Sequence, residues 1–516
     1  MDKKKSVLNV SVSIFSRIIM LITAIIVRRM LIQKIGNDVN GLNSLYTDII
    51  GMLAVAELGI GSAIIYSMYS PIVAGDRKKV SALYCLYKRL YRVIGVIIFG
   101  VGLLLTPFLP LLISDYTNLN SGVNIYLTFI LTLVSVVITY FYSAKTSLID
   151  AHKDNYITTS INTISRLIMY GLQIVSILIW RSFTIFIICS IISTLLIWTL
   201  TEIVVRQKYG DIIIAHESLD KETETEIKKN VKAMFLHKVG TIMVSGVDSL
   251  IISCFIGVVI LGKYNNYTLI ASVVSGTIAL CFTPLTSVIG HLCASDDADK
   301  KTRYFKFFYS MNYALGLLFF LGYYAIINGL VALCFGKGLE IARPIVFIIT
   351  LNQFTKYMRN ASLLFRNASG TFYNDRWKPI LEGVVNLILS LILVNVLSED
   401  MRIVGVILAT IITTLFICHT VEPFIIFRHV FNGSPKAFYV RNYLYIALFT
   451  CCLIGMTFIR DWIGTESSDI TGIVINGGLS VAVSLVALGL VALVDKDFRG
   501  AMLALKKNLN IKEWKG

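Results

Sequence analysis

Ionisable side chains interrupt the long apolar stretches of this 516-residue chain, and they are the residues best placed to do chemistry. Arg17 and Arg28 lie about three helical turns apart and so share one helix face, with Arg29 beside it. Asp48 and Glu57 follow in the next apolar run, Arg166 stands at the centre of a later one, and Asp248 at the centre of another. Lys356, Arg359 and Arg366 form a basic stripe on one run, and Glu382 lies at a depth where it could meet Arg366. A charge in hydrocarbon costs several kcal/mol, so each is paired, reaches an interface, or lines a water-filled cleft. Three pairings suit the depths: Arg17 with Glu57, Arg28 with Asp48, and Arg366 with Glu382. Arg28, Arg29 and Arg366 could instead snorkel to an interface. Arg166, Lys356 and Arg359 fit neither escape well, having no carboxylate at their depth apart from Asp248. A net-positive set at mid-depth suits an anion, and guanidinium forks match the oxygens of phosphate or pyrophosphate. Arg17, Arg28, Arg166, Lys356, Arg359 and Arg366 are therefore the candidate substrate-binding residues. Asp48, Glu57, Asp248 and Glu382 are candidates for ion coupling or structural pairing.

The elements that must carry these residues are membrane helices. Hydrophobic residues make up 56% of the chain and charged residues 15%, with a mean hydropathy of +0.75. A soluble chain carries about 25% charged residues, so the composition excludes a string of soluble domains and points to one polytopic all-α membrane protein. About fourteen runs are long enough to span about 30 Å of hydrocarbon: 7–33, 42–68, 90–113, 123–145, 156–180, 183–205, 237–259, 265–291, 305–334, 342–367, 378–397, 402–426, 440–460 and 472–494. The pairs 156–180/183–205 and 378–397/402–426 are joined so tightly that they must be helical hairpins.

The 47 Lys and Arg exceed the 31 Asp and Glu by 16. About 33 of these bases fall on one side of the alternating loops and about six on the other, which makes both termini cytoplasmic. The basic excess is thus mostly topology and no sign of nucleic-acid binding. Two cytoplasmic stretches are amphipathic, one carrying Ile227, Val231, Met234 and Phe235, the other Phe498, Met502, Leu505 and Leu509; each is expected in the headgroup layer. Trp180, Trp377 and Trp462 at helix ends fit an interfacial aromatic belt.

At an offset of 221 residues the chain matches itself: Ile35-Gly36, Gly41, Tyr46-Thr47 and Ile49 fall on Ile256-Gly257, Gly262, Tyr267-Thr268 and Ile270. The first six and next six helices therefore read as a parallel repeat, a transporter plan with the substrate site between the halves. The expected organisation is a first bundle over 1–206, an amphipathic linker over 207–236, a second bundle over 237–430, two further helices over 431–495 and a basic tail over 496–516.

Other chemistry is not provided for. The nine cysteines and six histidines show no metal or redox spacing, so neither a metal nor a cofactor is expected. Gly257, Gly262 and Lys263 imitate a phosphate-binding loop, but Tyr264 replaces the Ser or Thr that would hold magnesium. No protease or esterase motif and no long outer loop is present, so an enzyme is not expected.

The run from Gly41 to Tyr46, the stretch from Leu53 through Glu57, Gly59 and Gly61 to Ile64, the Gly75–Lys79 loop and the Val239–Ser253 stretch resemble the polysaccharide (oligosaccharide repeat-unit, Wzx-like) flippases. These belong to the multidrug/oligosaccharidyl-lipid/polysaccharide exporter superfamily, and the resemblance covers essentially the whole chain. It implies two six-helix bundles in a MATE-like V around a central cavity. It also implies translocation of undecaprenyl-pyrophosphate-linked repeat units between leaflets of a bacterial plasma membrane by alternating access. Cavity arginines in such proteins are thought to hold the pyrophosphate or acidic sugars, a role that Arg17, Arg166 and Arg359 fit by depth. Membrane lipids, a coupling ion (Na⁺ or H⁺) and a polysaccharide polymerase are the partners implied. A cation-coupled multidrug exporter or a peptidoglycan lipid-precursor flippase of the same fold are the alternatives.

Overall fold

The computed structural model describes residues 3–54, 67–69, 71–114, 119, 123–214, 246–282, 289, 292–293, 298–369, 371, 374, 377–464 and 469–506, and among them every extended element is a helix. Nine helices among these residues are long and apolar enough to cross a membrane, including Ile125–Ala151, Ala298–Phe335 and Ile470–Val494. The protein is a polytopic all-α membrane protein. Its chain divides into two compact units, Met1–Gly262 and Lys263–Gly516.

The first unit contains α1 (Lys3–Lys34), α2 (Asn37–Leu53), α3 (Arg77–Leu105), α4 (Ile125–Ala151), α5 (Asn155–Ile179), α6 (Phe183–Ile214) and α7 (Gly246–Phe255). Local chemistry sets their ends. Gly75 takes a left-handed φ of 71°, and the Asp76 carboxylate then caps α3 by accepting from the Lys79 N–H at 3.0 Å. Asn124 caps α4 in the same way through the Leu127 N–H. The turns of the expected 156–180/183–205 hairpin are tight: Arg181 takes a left-handed φ of 48°, and its N–H bonds back to the Ser176 carbonyl. Gln173 and Ser193 then tie α5 to α6 by hydrogen bonds to Phe186 O and Ser165 O.

The repeated Ile-Gly sequence builds the same turn twice. Ile35 and Gly36 N–H both bond to Leu31 O after α1, and Ile256 and Gly257 N–H both bond to Ile252 O after α7. Both glycines have positive φ, 151° and 119°, where a side chain would be strained. The second turn opens α8 (Val258–Phe282), whose first residues belong to the first unit. There a Cβ on Gly41 would lie 1.9 Å from Val258 O, and Asn37 and Asn40 donate to Val259 O and Gly262 O. The glycines of the imitation phosphate loop thus serve a turn and a close helix approach.

The second unit continues through α9 (Ala298–Phe335), α10 (Arg343–Met358), α11 (Asn360–Ser369), α12 (Lys378–Val396) and α13 (Arg402–Thr413). A π-helical turn, Thr414–Cys418, leads into α14 (His419–His429), followed by α15 (Lys436–Ile463), α16 (Ile470–Val494) and α17 (Lys496–Lys506). Its core is aromatic: the Phe305 ring meets Phe365, Phe427, Phe431 and Phe438 at centroid distances of 5.3, 5.7, 5.2 and 5.3 Å. Lipid is as apolar as these rings, so the gain comes from close packing more than from leaving water.

The tail departs from expectation. Phe498 on α17 is fully buried, its ring edge-on to Tyr313 and Tyr445, so this residue docks into the unit instead of lying among headgroups. Amphipathy alone does not distinguish those two destinations. The stretch around Ile227 and Phe235, together with Leu509, lies outside the described residues. Trp180, Trp377 and Trp462 are exposed at their helix ends.

Candidate functional site

Within the first unit a cleft of about 580 Å³ is lined by one polar stripe from each of α1, α4 and α5. On α1 the stripe is Ser13, Ser16 and Arg17, one helical turn. On α4 it is Thr139, Ser143, Thr146 and Asp150, spaced by three or four residues so that all fall on one face. On α5 two parallel rows, Thr158–Asn162–Arg166 and Thr159–Thr163, complete the wall. The volume lies within the roughly 300–1,000 Å³ of small-molecule sites. Arg17 and Arg166, chosen from the sequence by depth alone, thus share one space. Both are exposed, and among the described residues neither forms an ion pair. The cleft offers two guanidinium groups, with hydroxyl and amide groups around them, to whatever enters.

The hairpin under the cleft is clamped. Lys145 pairs with Glu202, which also takes Arg206 at 2.7 Å, and Lys208 pairs with Asp154, which also accepts from the Tyr209 hydroxyl at 2.8 Å. These bonds fix the ends of α4 and α5 to α6 and hold the stripes in register.

The second unit treats its charges differently. Glu422 on α14 accepts from Arg359 at 2.6 and 3.2 Å and from Lys378 at 2.6 Å. Glu382 lies 3.1 Å from Lys378 and 3.6 Å from Arg359. Two cations and two carboxylates form a neutral, buried quartet, in which Glu422 and Lys378 side chains are 1% and 3% exposed. Beside it His419 is held between Asn442 Oδ1 and the Thr355 carbonyl, at 3.1 and 3.0 Å.

This geometry corrects several expectations. Arg359 does have carboxylates at its depth, Glu382 and above all Glu422, so the charge it was expected to offer an anion is neutralised where it stands. Glu382 pairs with Arg359 and Lys378 and not with Arg366, whose guanidinium donates to Asn367 Oδ1 at 3.3 Å. The expected basic stripe is not one helix face, because α10 ends at Met358 and α11 starts at Asn360, with Arg359 at the break. Lys356 is in the last turn of α10. Asp48 does not pair with Arg28 but accepts from Ser249, the neighbour of buried Asp248. Arg28, on α1, is not among the cleft residues. Glu57, and with it the expected Arg17 pairing, lies outside the described residues.

Three features escaped the sequence reading. Glu422 sits in an apolar run just before Pro423, Lys378 stands at the edge of a run, and the hydroxyl stripes on α4 and α5 barely change the hydropathy of their runs. The spacing of three and four residues among Thr139, Ser143, Thr146 and Asp150 was the available signal. Among the described residues no three His, Cys, Asp or Glu side chains converge as metal ligands.

Comparison with solved structures shows what this polytopic helical fold is similar to. No protein-family model and no curated protein sequence matches the chain. The fold is similar to that of the lipid II flippase MurJ in an inward closed conformation, with a TM-score of 0.64 and 13% identity over 93% of this chain and 98% of that one. It is also similar to an inward-facing multidrug resistance MATE family transporter of the MOP superfamily, with a TM-score of 0.56 and 13% identity over 83% of this chain and 95% of that one. At that identity the likeness is one of fold: this chain is folded like these two proteins.

Proposed function

We propose that the protein is a flippase for undecaprenyl-pyrophosphate-linked oligosaccharide repeat units, carrying them from the inner to the outer leaflet of a bacterial plasma membrane for surface polysaccharide biosynthesis. One observation carries the reading: Arg17 and Arg166 converge on a hydroxyl-lined cleft and, among the described residues, have no carboxylate partner. Guanidinium groups that line a water-filled cleft within a membrane protein remain available to bind an anion during the cycle. A pyrophosphate provides one, with oxygens that each fork can bind twice. Organic cations would be repelled from the same cleft, which disfavours multidrug export.

The cycle would be alternating access driven by a Na⁺ or H⁺ gradient or by the membrane potential. Asp48, Asp248 and Glu57 are the coupling candidates, while Glu382 is occupied by its ion pairs. Arg28, Lys356 and Arg366 are retained as further contacts to the anion. The repeat over 1–206 and 237–430, the linker over 207–236, the extra helices over 431–495, the tail over 496–516, cytoplasmic termini and a polysaccharide polymerase as partner belong to the same proposal.

The test is flipping of a fluorescent lipid-linked oligosaccharide in proteoliposomes, with surface polysaccharide measured in cells. Arg17→Gln and Arg166→Gln should each lower the rate about tenfold or more, the loss of one charge-assisted hydrogen bond or fork, with protein level in the membrane unchanged. Normal flipping in both variants refutes the site. A peptidoglycan lipid precursor carries the same pyrophosphate; preferential flipping of that substrate would replace the glycan assignment and keep the cleft.

A further inference from the structure

Beside the neutral quartet stands a buried ionisable group that the cleft does not use. We infer that His419 is a proton-binding site, placed where two helices of the second unit are interrupted, so that its protonation and the bending of those helices are one event. It rests on the flippase reading only in that transport is what the proton would drive.

Both ring nitrogens of His419 face oxygen. Nδ1 lies 3.1 Å from Asn442 Oδ1, which also accepts from the Tyr309 hydroxyl at 2.7 Å, and Nε2 lies 3.0 Å from the Thr355 carbonyl. A neutral imidazole has one N–H and one lone pair, so it meets one of these acceptors and sets its lone pair against the other. Imidazolium, with two N–H groups, meets both. The neutral form fits only after the Asn442 amide turns over, so that Nδ2 donates to the Nδ1 lone pair and to the Tyr309 oxygen. As placed, Nδ2 is buried without a hydrogen-bond partner among the described residues. Turned over, Oδ1 would take that bare place. Each orientation leaves one amide atom bare and matches one state of the imidazole, which makes Asn442 a two-position switch.

The surroundings divide for and against the charge. Thr355 is in the last turn of α10, and the Arg359 N–H, which would reach its carbonyl in a longer helix, bonds instead to Tyr357 O. The Thr355 carbonyl is therefore a free helix end, whose partial negative charge favours a cation. Glu422, one turn along α14, favours the proton too. Arg359, Lys378 and burial itself oppose it, although each cation is paired, to Glu422 and Glu382 respectively. Arg441 of α15 stands 5.5 Å from the Tyr309 ring and opposes it weakly, being held by Asp495. Cys418, Tyr309 and Tyr445, the other titratable neighbours, are of types that carry little or no charge at neutral pH. A group balanced in this way changes occupancy when its packing changes, and the packing here has joints. α10 breaks at Arg359, and the π-helical turn Thr414–Cys418 ends at His419. Such interruptions of the helical ladder are where helices bend most readily.

The experiment follows the imidazole nitrogen NMR signals of histidine-labelled, full-length protein in lipid nanodiscs, without substrate, from about pH 8 to about pH 5. Of the six histidines, the one missing from His419→Gln should change from imidazole to imidazolium in that range. Asn442→Asp offers a carboxylate, which accepts in either orientation, so the same signal should move by about one pH unit or more and stay imidazolium longer. That variant also identifies the signal if His419→Gln fails to fold. A His419 signal fixed in one form across the range, or left unmoved by Asn442→Asp, overturns the site. Flipping in proteoliposomes then reads the coupling. A pH gradient of about one unit, worth at most about tenfold, should accelerate the wild type, and both variants should lose that acceleration. Acceleration retained in both variants overturns the coupling. Titration of His419 in a protein that flips no lipid-linked oligosaccharide would keep the proton site and count against the flippase reading.

Discussion

Glu422→Gln removes one carboxylate from the buried quartet while keeping shape and one acceptor oxygen. In the wild type, Arg359 and Lys378 each approach Glu422 to 2.6 Å. At an effective dielectric of about 20 each such contact is worth about 6 kcal/mol of Coulomb attraction, offset by several kcal/mol for desolvating each ion. The net value of the pairs is therefore small, but the cost of breaking them is not. The variant leaves two buried cations facing only Glu382, and one-sided removal from a buried pair costs about 3–5 kcal/mol. That is a large part of the roughly 5–15 kcal/mol by which folded proteins are stable.

Thermal unfolding of the purified protein in nanodiscs reads this loss directly. The decisive arm is the double variant Glu422→Gln/Lys378→Met, in which one cation and one anion are left, Arg359 and Glu382. If the quartet acts through charge balance, the double variant should recover about half or more of the loss, whereas independent effects would add. An unfolding midpoint unchanged by Glu422→Gln, or strict additivity in the double variant, would refute the reasoning. The same result bears on transport. Loss of flipping in Arg359→Gln with a matching loss of stability would mark Arg359 as part of the scaffold, unlike Arg166, whose loss should spare stability.

Two further outcomes follow from other parts of the fold. Burial alone would raise the Asp495 carboxyl, but the charge of Arg441 at 2.7 Å and hydrogen bonds from Tyr445 and the Phe498 N–H outweigh it and hold the group below the usual carboxylate range. A depressed value stabilises the folded state above the ordinary carboxyl range near about 4 and loses that contribution as pH falls through the depressed value. Hydrogen exchange in α17 should therefore quicken below about pH 4, and Asp495→Asn should flatten that dependence; an identical pH profile in the variant would contradict the assignment. At the α2–α8 approach, Gly41→Ala places a Cβ 1.9 Å from Val258 O and should cost about 1–3 kcal/mol or more, whereas Gly51→Ala, with nothing within 4 Å, should be neutral or stabilising in an unfolding assay.

Much of the architecture was legible because it depends on one dimension, position along a helix. Apolar runs gave the nine spans found among the described residues, the short joints gave the hairpins, and Ile35-Gly36 with Ile256-Gly257 marked a turn that the chain builds twice. Depth also brought Arg17 and Arg166 forward, and they do line one cleft. Pairing needs two further coordinates, the face on which a side chain stands and the identity of the neighbouring helix, and there the reading failed. Glu382 and Arg366 agree in depth, yet Glu382 faces Arg359 and Lys378, because the break at Arg359 turns that residue out of line with the helix after it. Glu422 went unnoticed for a related reason, since its partners come from elements more than forty residues away. The hydroxyl stripes were hidden by averaging, because a Thr every third or fourth residue barely lowers the mean hydropathy of a span.

The charges that the sequence grouped by sign are better grouped by whether the fold neutralises them. In the second unit a cation at mid-chain has been given its carboxylates, and the result is a neutral, buried and rigid junction. In the first unit two cations have been given a cleft instead, with hydroxyl and amide groups around them. A fold that can satisfy a buried arginine and does so at Arg359 gives meaning to the two it leaves without ion pairs among the described residues. On the proposed reading, the partner of those two is an anionic ligand held in the cleft.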